Sequence, residues 1–179
     1  MGNLIAGVLS STRYKVECFR PRFIEFKGRK ELAEMVKIWE EEFKNIVVTA
    51  GLNKLLDATF KTGLTSPAWY VGFKGSGTMI AADTMASHSG WAELVPYSDS
   101  TRPAFTPGSI SSGAVDNSAS KAVFNINTSS TIYGCFLADN STKSGTTGTL
   151  YGGGDFGASR SVVNGDVLNI TVTLTQASA

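Results

Sequence analysis

The tightest constraint in this sequence is a strict two-residue alternation near its end. Leu168, Ile170, Val172 and Leu174 fall on one side of an extended segment, and Asn169, Thr171 and Thr173 fall on the other. Successive side chains of a β-strand point to opposite faces, so this pattern buries the first set and solvates the second. Shorter runs with strand character precede it at roughly ten-residue spacing, at residues 68–73, 121–127, 131–138 and 160–163. Gly, Pro and Ser separate them, residues 101–117 and 140–149 read as loops, and Asn164-Gly165-Asp166 signals a turn. The regular strand-helix-strand alternation of a parallel sheet is absent. The expectation is a mainly β chain: an antiparallel β-sandwich or jelly-roll-like domain.

The first 62 residues read differently. Leu32, Met35, Val36, Trp39, Phe43, Ile46 and Val47 are spaced as on one face of a helix, with Lys and Glu between them. The spacing predicts a helix over residues 29–48; a strand over residues 37–43 is the competing reading. A second helix is expected over Thr49–Phe60, where Leu52, Leu55, Leu56 and Phe60 recur. Thr49 is its candidate N-cap and Gly63 its stop. Residues 14–19 read as a strand, and the first eleven residues as an arm that becomes ordered against a partner.

Charge divides the chain at the same place. Residues 1–62 carry 11 Lys and Arg against 8 Asp and Glu, whereas residues 63–179 carry 5 against 7 and are rich in Ser, Thr and Gly. The expected organisation is therefore a short α-containing N-terminal attachment region, residues 1–62, followed by a β-sandwich domain, residues 63–179. The apolar stripe of Leu32, Met35, Val36, Trp39 and Phe43 is the candidate assembly surface.

Composition narrows the chemistry. The formal net charge of +1 argues against general, direct nucleic-acid binding. No apolar run reaches the roughly 20 residues of a membrane-spanning helix. A secretion signal is not expected at the N-terminus, which lacks a basic start and a small-residue cleavage site. Cys18 and Cys135 lie far apart among apolar residues and are expected to be buried free thiols. A single His, His88, and two distant Cys cannot assemble an ordinary zinc site, so no metal or other cofactor is expected. His88 near Asp83 lacks a nucleophile elbow, which favours a structural loop histidine over a catalytic base. Residues 152–157 (GGGDFG) match G-x-G-x-x-G, but a strand rather than a helix is expected to follow. They therefore read as a flexible loop, not a phosphate cradle. No catalytic residues are expected, and the chain reads as a non-enzyme. Of the aromatics, Trp69, Trp91 and Phe124 are expected in the core, with Tyr97 and Tyr151 as candidate ligand contacts.

Several longer motifs carry a resemblance. They are Asn45-x-Val47 through Leu55-Leu56-Asp57, then Ala68-Trp69-Tyr70-Val71-Gly72, then Ala82-Asp83-Thr84-Met85-Ala86-Ser87-His88-Ser89-Gly90-Trp91-x-Glu93. Further along come residues 116–122 (DNSASKA), residues 143–151 (KSGTTGTLY) and residues 160–166 (RSVVNGD). Together they resemble a family of small proteins encoded among the structural genes of tailed bacteriophages, over about residues 45–174. The resemblance implies a structural protein of the virion, made in the host bacterial cytoplasm. It would be a tail-fibre or neck-appendage subunit or a capsid decoration protein, and no catalytic role is implied. The implied partners are other virion proteins (capsid, portal or adaptor, or tail subunits), with homo-oligomers expected. Binding of a host-surface glycan is the alternative.

Overall fold

In a computed structural model of the chain, which describes residues 8–61 and 67–178, two antiparallel sheets face one another across a shared core. The strands are β1 (Val8–Phe26), β2 (Arg29–Lys44), β3 (Ile46–Val47), β4 (Trp69–Lys74), β5 (Glu93–Leu94), β6 (Ala104–Phe105), β7 (Ala114–Asp116), β8 (Ala122–Asn125), β9 (Ser130–Ala138), β10 (Leu150–Val162) and β11 (Val167–Ser178). One helix, α1 (Thr49–Phe60), lies between β3 and β4. The first sheet runs β2-β1-β11-β7, with β8 also on β11. The second runs β3-β10-β9-β4-β5, with β6 also on β4. The fold is thus mainly β and sandwich-like, as the alternation and turn spacing imply.

The alternating segment near the C-terminus becomes β11, the centre of the first sheet. Leu168, Ile170 and Val172 are fully buried. They meet Tyr14, Val16, Cys18 and Phe124 from the same sheet and Val71, Phe73, Cys135 and Leu137 from the other. A second core lies behind the second sheet, where residues 75–92 and the start of α1 cover it. There Met79, Met85 and Trp91 pack with Val48, Phe136, Ala138 and Leu150. Burial on both faces over residues 134–138 explains why that end of β9 shows no polar alternation, whereas Thr131 and Tyr133 before it are exposed.

Three expectations are corrected. The segment at residues 29–48 is not a helix: residues 29–44 form β2, paired antiparallel with β1 from Arg13↔Lys44 to Phe26↔Arg29. The competing strand reading, residues 37–43, lies inside it. The physical reason is two irregularities in register. Arg22 pairs with Glu34 but Phe23 with Leu32, and Cys18 pairs with Trp39 but Phe19 with Lys37. Ala33 and Ile38 are therefore extra residues, and each bulge resets the two-residue period. Leu32 and Met35, three apart, share a face across one bulge; Val36 and Trp39, three apart, share the other face across the second. Three-residue spacing of this origin imitates a helix.

The glycine run at residues 152–157 is likewise not a loop but part of β10, with Gly152 and Gly153 wedged between β3 and β9. A Cβ at Gly134 would lie 2.0 Å from the Gly154 carbonyl oxygen, and one at Gly154 would lie 2.7 Å from that of Lys44. The glycines serve close backbone approach. Lastly, Val48 rather than Thr49 occupies the N-cap of α1, with no side-chain cap. Gly63, the expected stop, lies outside the described residues, as do residues 1–7 of the expected arm.

The expected boundary at residue 62 is crossed by the sandwich itself. β1 pairs with β11 from Val8↔Ser178 to Phe19↔Val167, and Tyr14, Val16, Cys18 and Phe43 sit in the main core. The charge-rich character of the first 62 residues has a plain origin in the outer face of the first sheet. There Glu17 and Glu40, directly opposed, are neutralised by Lys15, Lys37 and Lys121 at 2.6–3.4 Å. Hydrogen bonding from Lys121 holds the Glu17 carboxyl below its ordinary range.

Candidate assembly surface

β1 and β2 outrun the sheet they belong to. Pairing of β1 with β11 ends at Phe19↔Val167, yet β1 and β2 continue as a two-stranded ribbon to the turn at Lys27-Gly28. Phe26 pairs with Arg29, and both turn residues have positive φ (50° and 71°), the geometry of a two-residue type I′ hairpin. Every residue from Arg22 to Met35 is exposed.

Alternation along β1 and the pairing register assign the ribbon's faces. Tyr14, Val16 and Cys18 point into the core, so Arg20, Arg22, Ile24 and Phe26 continue on that side. Phe19, Pro21, Phe23 and Glu25 lie on the outer side. The cross-strand partners Met35 and Leu32 join Pro21 and Phe23, making an apolar outer face. Phe23, Ile24, Phe26, Leu32, Met35 and Ile38 are between 38% and 57% exposed, a concentration of large apolar groups that solvent alone does not favour.

The root of the ribbon is fixed by charge. Asp166, in the β10–β11 turn, is fully buried. It accepts two hydrogen bonds from the Arg20 guanidinium at 2.7 and 2.8 Å and one from the Val163 N–H at 2.9 Å. Burial works to raise its carboxyl, but these bonds outweigh it and hold Asp166 below the usual carboxylate range. Nearby, burial pushes the Cys18 thiol up to about 12, so it is an inert neighbour. On β2, Glu41 accepts from Arg160 and from the Gly157 N–H, tying the base of the strand to β10.

The expected stripe therefore divides. Leu32 and Met35 are exposed on the ribbon, and Val36 is half-buried. Trp39 packs against the core edge under Phe156 and Arg160, and Phe43 is buried and stacked on Tyr14. Only the first three are placed to meet a partner. Phe23 joins Leu32 and Met35 on the outer face, while Ile24 and Phe26 are exposed on the opposite face of the same ribbon. Their signal was the apolar run after Pro21, interrupted by charge at every second or third place.

Elsewhere, Tyr97 is buried between Phe73 and Phe124 beneath the Lys143 ammonium, so it is not a surface aromatic. Tyr151 is also almost wholly buried, but it lines a cleft of about 500 Å³ at one end of the sandwich with Leu55, Trp69, Phe105, Ile110 and Leu174. Trp69 and Tyr151 meet edge to face there at 5.6 Å.

A second cleft, of about 490 Å³, is lined by His88, Glu93 and Ser144. His88 stacks on Trp91 with its Nδ1 3.0 Å from the Trp91 carbonyl oxygen, while Asp83 accepts from Trp91 Nε1. Glu93 is occupied by a buried, doubly bonded Arg102 and by the Ser144 N–H. These groups fasten loops to one another. Among the described residues no three His, Cys, Asp or Glu side chains cluster as metal ligands, and no helix is long and apolar enough to cross a membrane.

Comparison with protein-family models, with curated proteins and with solved structures finds no match to this chain.

Proposed function

We propose that the chain is a non-enzymatic structural component of a tailed-phage virion, in a tail-fibre or neck appendage or as a head decoration. It joins the particle through its N-terminal region, specifically the β1–β2 ribbon. The observation that carries this reading is the ribbon itself. Fourteen consecutive exposed residues, 22–35, present large apolar side chains on a two-stranded hairpin. Such a hairpin is marginal alone in water and gains stability when a further strand or apolar face covers it. The sequence resemblance supplies the setting.

Removal of residues 1–44 is the wrong test, because it takes Tyr14, Val16, Cys18 and Phe43 out of the core. Replacing residues 22–34 by an Asn-Gly turn leaves that core intact. The shortened protein should fold, with unchanged far-UV circular dichroism bands for the sandwich, and should be missing from purified particles analysed by mass spectrometry. Normal incorporation overturns the assignment.

A second reading, binding of a host-surface glycan, is favoured by the apolar cleft at Trp69 and Tyr151. Half-exposed Trp69 can stack on a sugar ring, a role buried Tyr97 cannot fill. Binding on a glycan array that is lost in Trp69→Ala would establish it, and a blank array would remove it.

A further inference from the structure

The occupant of the ribbon can be named from the strand order and the charge order of β2, on the premise that the ribbon is an assembly surface. We propose that it is a second copy of this chain, its β2 added antiparallel to β2 across a two-fold axis near Met35. β2 is the terminal strand of its sheet and pairs only with β1 among the described residues, so its outer edge offers unpaired backbone N–H and C=O groups. From Glu41 down, β2 is held against β10 on its inner face, where the Glu41 carboxylate accepts from Arg160 and from the Gly157 N–H, and the projecting part of the strand lies above that tie. The open stretch is therefore about residues 30–40.

Within this stretch the charges are ordered. Lys30 stands at the turn end, opposite Glu25, and Glu40 at the base, opposite Glu17 and shared with Lys15 and Lys37 at 3.0 and 2.7 Å; both lie on the outer face. Antiparallel pairing centred on Met35 sets Lys30 against Glu40 of the second copy, twice by symmetry. It also brings Leu32 beside the second copy's Ile38 and Met35 beside Met35. Directly opposed residues must share a face, and this register satisfies that for Lys30 with Glu40 and for Glu34 with Val36. Parallel pairing in register would set Glu40 against Glu40. Where the two ribbons overlap, four strands lie side by side and join the first sheets of both copies, and their outer face carries Pro21, Phe23, Leu32 and Met35 from both copies as one apolar strip. The interface is isologous, and therefore closed.

Sedimentation velocity on the full chain over a concentration series tests this. The wild type should populate a dimer. Lys30→Glu and Glu40→Lys should each weaken dimerisation roughly tenfold, the size of two opposed cross-strand charge contacts. The double variant should recover most of that loss. In one chain Lys30 and Glu40 lie about 33 Å apart along the strand, so rescue cannot arise within a protomer. Leu32→Asp should abolish the dimer without changing the circular dichroism spectrum. A monomer at every concentration, a trimer, or a double variant no better than the singles overturns the proposal. If the chain is monomeric but the ribbon-shortened variant is still lost from particles, this inference fails while the assembly role stands.

Discussion

The lower and upper halves of the β1–β2 hairpin have opposite lives in one pair of strands. In the lower half, residues 8–19 and 37–44, β1 is flanked by β11 and β2, and Tyr14, Val16, Cys18 and Phe43 reach the core. In the upper half, residues 20–36, the same backbone pairing continues with no third strand and no opposing sheet, and comparable apolar side chains face solvent. Backbone pairing is common to both halves, so it cannot distinguish the part that stabilises the monomer from the part available to a partner. Burial distinguishes them.

The contrast can be broken experimentally, beginning with the core. Phe124→Ala removes a fully buried ring between Phe73 and Tyr97 and should cost about 4 kcal/mol of unfolding free energy, read by urea denaturation. A cost below about 1 kcal/mol would show that the main core is not built around this ring.

At the junction of the halves, Asp166→Asn keeps the shape but removes the charge that holds Arg20. Because Arg20 is 39% exposed, the expected loss is about 2 kcal/mol, below that of a fully buried pair. The same group gives a pH dependence. A carboxyl whose folded pKa is depressed contributes stability that is full above its unfolded value, near 3.8, and is lost as pH falls through the lower folded value. Thermal melts of the wild type should fall over that acid window, and Asp166→Asn should fall less. Parallel curves for the two proteins would remove Asp166 from this role.

The smallest effect belongs to the ribbon. Phe23→Ser or Leu32→Ser should change monomer stability by no more than about 0.5 kcal/mol, measured at dilutions where self-association is negligible. A core-sized loss would show that these side chains already pack within one chain.

How much of this was readable in advance differs by element. β11 was legible because one of its faces is buried and the other wet, so pattern and pairing coincide. α1 was legible in extent but not in orientation. Leu55 packs on the core, whereas Leu52, Leu56 and Phe60 of the same apolar set are exposed. β2 was misread because two bulges give its apolar residues helical spacing, and because Lys27-Gly28 is not among the common dipeptides of a type I′ turn. The glycine run of β10 was misread because backbone approach from β3 and β9, invisible in a linear pattern, is what selects those glycines. Of the candidate assembly residues, Leu32 and Met35 remain on the surface and Val36 is half-buried, while Trp39 and Phe43 face inward.

The sequence by itself determined the class of fold, the turn at residues 164–166 and the alternating strand that becomes β11. These depend on local period and composition, which neighbouring residues carry. Only the tertiary structure decided that the charged N-terminal segment is half scaffold and half projecting ribbon. Where β11 stops at Val167, the strands beyond it lose their third partner, and that length mismatch between distant segments leaves no trace in either one alone.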